Sequence, residues 1–275
     1  MDNNVLIAFM LTLLAGISTG IGSAIAFFAK RTNTSFLSVS LGFSAGVMIY
    51  VSFAELLPNA IISLTDMHGV KMGTIYATIS FFVGILIIML IDKFVPKYEN
   101  PHEMRSIEDI SQVQHHDRTS AKQPSQGGLL RVGMVTALVL AIHNFPEGMV
   151  TFLAGLKNIN VAIPIAFAIA IHNIPEGISV SVPVFYATGN RKKAFWLSFL
   201  SGLAEPLGAL IGYAILAPFL NDNVFGIVFG IIAGIMVFIS LDELLPAAET
   251  YGKHHLAIYG MVAGMAVMAV SLLLF

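Results

Sequence analysis

Apolar residues run through this chain in long blocks separated by short polar breaks, and each block has about the 20 residues a helix needs to cross the hydrocarbon core of a bilayer. The blocks predict eight spans, over 4–29, 36–63, 73–95, 129–155, 160–187, 193–218, 223–247 and 255–275. Lipid offers no partner to backbone N–H and C=O groups, so each block must be helical and the expected fold class is all-α and polytopic. One connection differs from the rest. Residues 96–128 are polar, with no sustained apolar period, and predict a flexible loop.

Composition agrees with this pattern. Over 275 residues, 56% are hydrophobic and 11% charged, whereas a soluble domain carries roughly 25% charged residues. The formal net charge of −2 argues against a nucleic-acid partner, and the absence of cysteine excludes disulfides and thiolate metal sites. Met1 to Asn4 carry no positive cluster, and the apolar run that follows is too long for a signal peptide, so it is expected to be a first span. The 14 Lys and Arg residues set the orientation: with the N-terminus outside, twelve fall on the cytoplasmic side and only Lys71 and Lys157 outside. The expectation is a multi-pass protein of the cell (inner) membrane, with both termini outside and the 96–128 loop cytoplasmic.

The chemistry is concentrated in a hexapeptide that occurs twice inside apolar blocks, as His143-Asn144-Phe145-Pro146-Glu147-Gly148 and His172-Asn173-Ile174-Pro175-Glu176-Gly177. A His and a Glu at i and i+4 are separated by about 40° on one helical face and about 6 Å along the axis, so both can reach one small cation. Each proline lacks the N–H that would pair with the carbonyl four residues back. Ile142 O and Ile171 O are thereby freed beside the motif, and a kink is expected there.

The repetition extends further. Gly46-Val47-Met48-Ile49-Tyr50-Val51-Ser52-Phe53-Ala54-Glu55-Leu56-Leu57-Pro58 matches Gly234-Ile235-Met236-Val237-Phe238-Ile239-Ser240-Leu241-Asp242-Glu243-Leu244-Leu245-Pro246, and Leu14-Ala15-Gly16-Ile17 matches Leu200-Ser201-Gly202-Leu203. Spans 1–3 therefore map onto 6–8 and span 4 onto span 5. Each pair is an odd number of crossings apart, which predicts an inverted repeat in a 3+2+3 arrangement, with two three-helix bundles flanking the central pair. Such repeats supply a route to alternating access around a midplane site.

Intramembrane carboxylates cost on the order of 3 kcal/mol each unless compensated. A bound divalent cation, or protons when the site is empty, is the compensation expected for Glu147, Glu176 and Glu205, the last in Ser201-Gly202-Leu203-Ala204-Glu205-Pro206. His143 and His172, with Asn144 and Asn173, are candidate ligands beside them. Glu55, Asp242 and Glu243 lie toward helix ends, where a mouth or capping role is as reasonable as ion contact. His102, His115 and His116 of the 96–128 loop read as part of a solvated linker or as a weak cytosolic metal acceptor. Imidazole with carboxylate and amide oxygen suits Zn²⁺, Fe²⁺, Mn²⁺, Co²⁺ and Cd²⁺, not Cu⁺, Ca²⁺ or Mg²⁺. Two motifs offer enough groups for two adjacent ions, with Glu147 and Glu176 able to bridge.

These motifs, the Ser-Gly-Leu-Ala-Glu-Pro segment, the two Glu-Leu-Leu-Pro helices and a hydrophilic loop after the third of eight spans resemble the ZIP (Zrt-, Irt-like protein) family, most closely its bacterial zinc transporters. The resemblance implies uptake of zinc and other divalent cations into the cytosol as substrates, with no prosthetic group. It implies one ion held by His143, Glu147, His172 and Glu176 and a second by Asn144, Glu147, Asn173, Glu176 and Glu205, with Met48 matching a methionine near the first ion in some relatives. Where some relatives carry Gln-Asp, this chain has His172-Asn173, which adds an imidazole and removes an acid. Homodimers are implied as well. Two rivals remain from the residues themselves. An intramembrane zinc hydrolase would need an open coordination position and a base that is not a ligand, and a metal-sensing receptor would need an output domain.

Overall fold

The computed structural model describes residues 3–28, 34–94, 126–251 and 254–274, with some side chains within them excepted. Eleven helices account for nearly all of these: α1 (Asn3–Phe28), α2 (Thr34–Val51), α3 (Leu57–His68), α4 (Val70–Phe94), α5 (Gln126–Lys157), α6 (Ile159–Thr188), α7 (Arg191–Gly202), α8 (Ala204–Leu216), α9 (Asp222–Ile239), α10 (Leu245–Tyr251) and α11 (His254–Leu274). No strand occurs among the described residues. Seven of the helical stretches are long and apolar enough to cross a bilayer. The eighth expected span, 129–155, lies on α5, a helix of 32 residues. Residues 95–125 of the polar connection, with His102, His115 and His116, lie outside the described residues.

The hairpins turn at predictable chemistry. Gly69 and Gly189 take φ of 77° and 65°, a region that glycine enters without a Cβ clash. Asn158, Asn190 and Asn221 cap α6, α7 and α9 by accepting from the backbone N–H of Asn160, Lys193 and Val224.

Two interruptions share one form. Between α2 and α3 the chain widens into a π turn over Ser52–Leu56, and between α9 and α10 it does so over Ser240–Leu244. In each, the next residue donates to the carbonyl of the first, Leu57 N–H to Ser52 O and Leu245 N–H to Ser240 O. Each π turn is followed one residue later by a proline, Pro58 or Pro246, and lets the helix accommodate the missing donor without breaking.

The helices pack as two bundles. One holds α1, α5, α6, α7 and α8; the other holds α2, α3, α4, α9, α10 and α11, with α2 lying on α6 and α9 on α5 at the seam. This corrects the expectation of two three-helix bundles flanking a central pair. α1 packs away from α2, and the α7–α8 segment away from α9, and both close around α5 and α6, where small residues let their backbones approach. α1 crosses the α7–α8 joint at Gly16 and Gly202, where a Cβ on Gly16 would lie 2.6 Å from Gly202 O and a Cβ on Gly202 would lie 2.5 Å from Gly16 O. In the other bundle, Gly46 meets Met261 O of α11 and Gly234 meets Phe81 O of α4, each at 2.0 Å from an added Cβ.

The surface is apolar where lipid would touch it, as at Ile79, Phe82 and Leu86 of α4. Polar side chains are inside, as at Thr12, Thr19, Ser23, Ser44 and Ser198. This inversion of the soluble pattern is what a bilayer solvent requires.

Candidate metal centre

The two hexapeptides face one another where α5 and α6 pack together. Both run as continuous helix through Pro146 and Pro175. Gly148 and Gly177, which end the motifs, let neighbouring backbones close in: a Cβ at Gly148 would lie 1.9 Å from Glu205 O of α8, and one at Gly177 would lie 2.1 Å from Thr19 O of α1.

Glu147, His172 and Glu176 each offer a ligand atom, and these atoms lie within 4.8 Å of one another with all three residues buried. His172 Nε2 is 3.3 Å from Glu147 Oε1. Ser44 of α2 brings its hydroxyl to 3.3 Å from Glu176 Oε1 and 3.4 Å from the His172 carbonyl, so its one proton is shared between two acceptors. Fully buried imidazole and carboxylate groups this close form a donor set matched to a borderline divalent cation.

An oxygen-rich half adjoins this cluster. Asn144 and Asn173 stand three residues before Glu147 and Glu176, on the same helical faces. Asn173 Nδ2 donates to Ala15 O at 2.9 Å and to Glu205 Oε1, while Asn144 Nδ2 donates to Ser201 O at 3.1 Å. With each amide held through its Nδ2 group, the amide oxygens are left for another partner. Asn144 Oδ1, Asn173 Oδ1 and Glu205 Oε2 are buried and take no hydrogen bond among the described residues. Three acceptors without a donor, in an enclosed space, fit a cation.

Glu205 reaches the centre because its helix is jointed. α7 stops at Gly202, and α8 starts at Ala204, with Pro206 in its first turn unable to donate to Gly202 O. Met48 is fully buried and lies one helical turn beyond Ser44 on α2. The His143 side chain lies outside the described residues. Glu55 is half-buried and accepts from Asn59 Nδ2 at 2.9 Å, and Asp242 and Glu243 lie in the second π turn, apart from the Glu147–His172–Glu176 group.

Sequence reasoning did not identify Ser44, or the carbonyls of Ala15 and Ser201. Ser44 has no counterpart in the repeat, since isoleucine stands at the matching position 232. The two carbonyls carry no side-chain signal at all.

The family model described as ZIP Zinc transporter matches residues 4–272 of this chain. A protein named Zinc transporter ZupT from Clostridium perfringens (strain 13 / Type A) is 62% identical, over 99% of this chain and 97% of its own length. Proteins of the same name from Streptococcus mutans serotype c and Lysinibacillus sphaericus are 59% and 58% identical, over 100% of this chain and 100% and 99% of their own lengths.

Proposed function

The chain belongs to the ZIP zinc transporter family, and from that premise we propose that it carries zinc across the cell membrane into the cytosol through the centre between α5 and α6. The observation that carries this reading is the buried Glu147–His172–Glu176 group, whose ligand atoms lie within 4.8 Å of one another. A cation resting there offsets carboxylates that would otherwise each cost on the order of 3 kcal/mol in the membrane. The relatives described above are named as transporters, which favours this reading over a hydrolase or a receptor.

In this proposal His143, Glu147, His172 and Glu176 hold one ion, with the Met48 thioether beside it. Asn144, Glu147, Asn173, Glu176 and Glu205 hold a second, with Glu147 and Glu176 shared between the two. The unpaired Asn144 Oδ1, Asn173 Oδ1 and Glu205 Oε2 support the second position. Fe²⁺, Mn²⁺, Co²⁺ and Cd²⁺ are substrates alongside zinc, because the shell mixes nitrogen and oxygen and lacks thiolate.

The fold in this proposal is an inverted repeat. Matched contacts support it: Asn144 with Ser201 O answers Asn173 with Ala15 O, and Gly208 with Phe145 O answers Gly22 with Ile174 O. Each half can then exchange shape with the other around the ion, opening the centre alternately to the two sides. Both termini face outward, the 96–128 loop is cytoplasmic, and the protein works as a homodimer in the inner membrane.

The test is uptake by purified protein in liposomes loaded with a zinc indicator and a pH dye. Zinc entry above that of protein-free liposomes is expected, and the dye reads whether protons move with it. Entry no faster than in protein-free liposomes would overturn the proposal.

A further inference from the structure

Many hydroxyl groups in these helices donate to the carbonyl three or four residues earlier. Thr12 does so to Ala8 at 3.0 Å, Ser23 to Thr19 at 2.9 Å, Ser52 to Met48 at 2.7 Å and Thr151 to Glu147 at 2.9 Å. Thr19, like Ser38 and Ser271, does not. Its side chain is fully buried, and its Oγ1 has no hydrogen-bond partner among the described residues.

The reason lies in its ordinary acceptor, Ala15 O. Besides the helical N–H of Thr19 itself, that oxygen receives the Ser18 hydroxyl at 2.6 Å and Asn173 Nδ2 at 2.9 Å. A carbonyl oxygen has two lone pairs, and this one is already shared among three donors, so no acceptor capacity is left for the Thr19 hydroxyl. A hydroxyl buried without a partner is destabilising, and it persists more readily where something else supplies the partner.

Thr19 also has a telling position. It lies between α7, whose Ser201 carbonyl accepts from Asn144, and α6, which carries Asn173: a Cβ on Gly202, next to Ser201, would lie 2.8 Å from Thr19 Oγ1, and one on Gly177, next to Glu176, would lie 2.1 Å from Thr19 O. Asn144 binds Ser201 O on α7, and four residues beyond Ser201 stands Glu205. Asn173 binds Ala15 O on α1, and four residues beyond Ala15 stands Thr19. Thr19 therefore occupies on α1 the place that Glu205 occupies on α8.

We propose that the Thr19 hydroxyl is a further oxygen donor to the Asn144–Asn173–Glu205 half of the centre, meeting the ion or a water molecule it carries. This rests on the metal-transport reading above. Within that half, α8 then offers a carboxylate and α1 a neutral hydroxyl, so the cradle gains oxygen without adding charge. Oxygen donors favour Mn²⁺ over the softer Cd²⁺, which makes Thr19 a specificity-determining residue.

Two readouts test this: competition of Mn²⁺ and of Cd²⁺ against zinc uptake in proteoliposomes, and the shift in melting temperature that each ion gives the purified protein. Thr19→Val, which keeps the shape and removes the hydroxyl, is expected to weaken Mn²⁺ relative to Cd²⁺ about tenfold and to shrink the Mn²⁺-induced shift. The ion-free variant is expected to melt no lower than the intact chain, since it loses an unpaired buried group. Thr19→Ser is expected to keep the Mn²⁺ to Cd²⁺ ratio and Thr19→Ala to lose it, a comparison that stands even if the valine variant does not fold. An unchanged ratio in Thr19→Ala would overturn the role of Thr19. An intact chain that no divalent ion stabilises or crosses would instead overturn the metal-transport reading beneath it.

Discussion

Glu147 on α5 and His172 on α6 meet at 3.3 Å, with side-chain exposures of 1% and 0%. The pair crosses from the first motif to the second, on two helices that pack together. The contact exists because two copies of one motif pack face to face, and it joins their candidate ligands in one buried group.

His172→Ala is therefore expected to cut zinc influx into proteoliposomes at least tenfold, the lower end of the usual cost of disturbing a metal shell. His172→Gln should recover part of the rate, because it restores a side chain that can ligate through oxygen. Size-exclusion profiles matching those of the intact chain would show that the loss is not one of folding.

The glycines that end the motifs predict a different kind of damage. In Gly177→Ala the new methyl would stand 2.1 Å from Thr19 O, a backbone atom that cannot swing away. Forcing α1 and α6 apart should destabilise the protein by about 1–3 kcal/mol, as overpacking does elsewhere. The check is the melting temperature of the detergent-solubilised variant, with Gly148→Ala, 1.9 Å from Glu205 O, expected to behave alike.

Much of this was legible in the sequence, and the exceptions have physical causes. Apolar runs announce membrane helices because lipid leaves the backbone no alternative, and the duplicated hexapeptide announced Glu147, His172 and Glu176. The π turns at Ser52 and Ser240 were not legible, since a proline in an apolar run reads the same whether the helix kinks, breaks or widens. Bundle membership was hidden as well. Gly16 and Gly202 look like any small residues of a membrane helix until each is seen against the other's carbonyl. Thr19 had a faint signal, because the spacing that pairs Gly16 with Gly202 also pairs Thr19 with Glu205.

Orientation can be read directly, because the chain contains no cysteine. Asn160, in the first turn of α6, and Lys192, in the first turn of α7, are both exposed. With both termini outside, a membrane-impermeant maleimide should label Asn160→Cys in intact cells and label Lys192→Cys only after permeabilisation. The reverse pattern would invert the topology.

The donor set also ranks the ions. Cd²⁺, Co²⁺, Fe²⁺ and Mn²⁺ should each slow zinc uptake when added in excess, whereas Ca²⁺ and Mg²⁺ should not, because they prefer all-oxygen shells. Competition curves in the proteoliposome assay check this, and inhibition by Mg²⁺ comparable to that by Cd²⁺ would contradict it.

The central claim is that the buried Glu147–His172–Glu176 group is the path of the ion. Its most direct measurement is initial zinc influx through Glu147→Gln and Glu176→Gln, each folded and reconstituted at the same density as the intact chain. Each exchange keeps the shape and removes one charge, and the account predicts influx lowered at least about a hundredfold. Influx at the intact rate in either variant would contradict it.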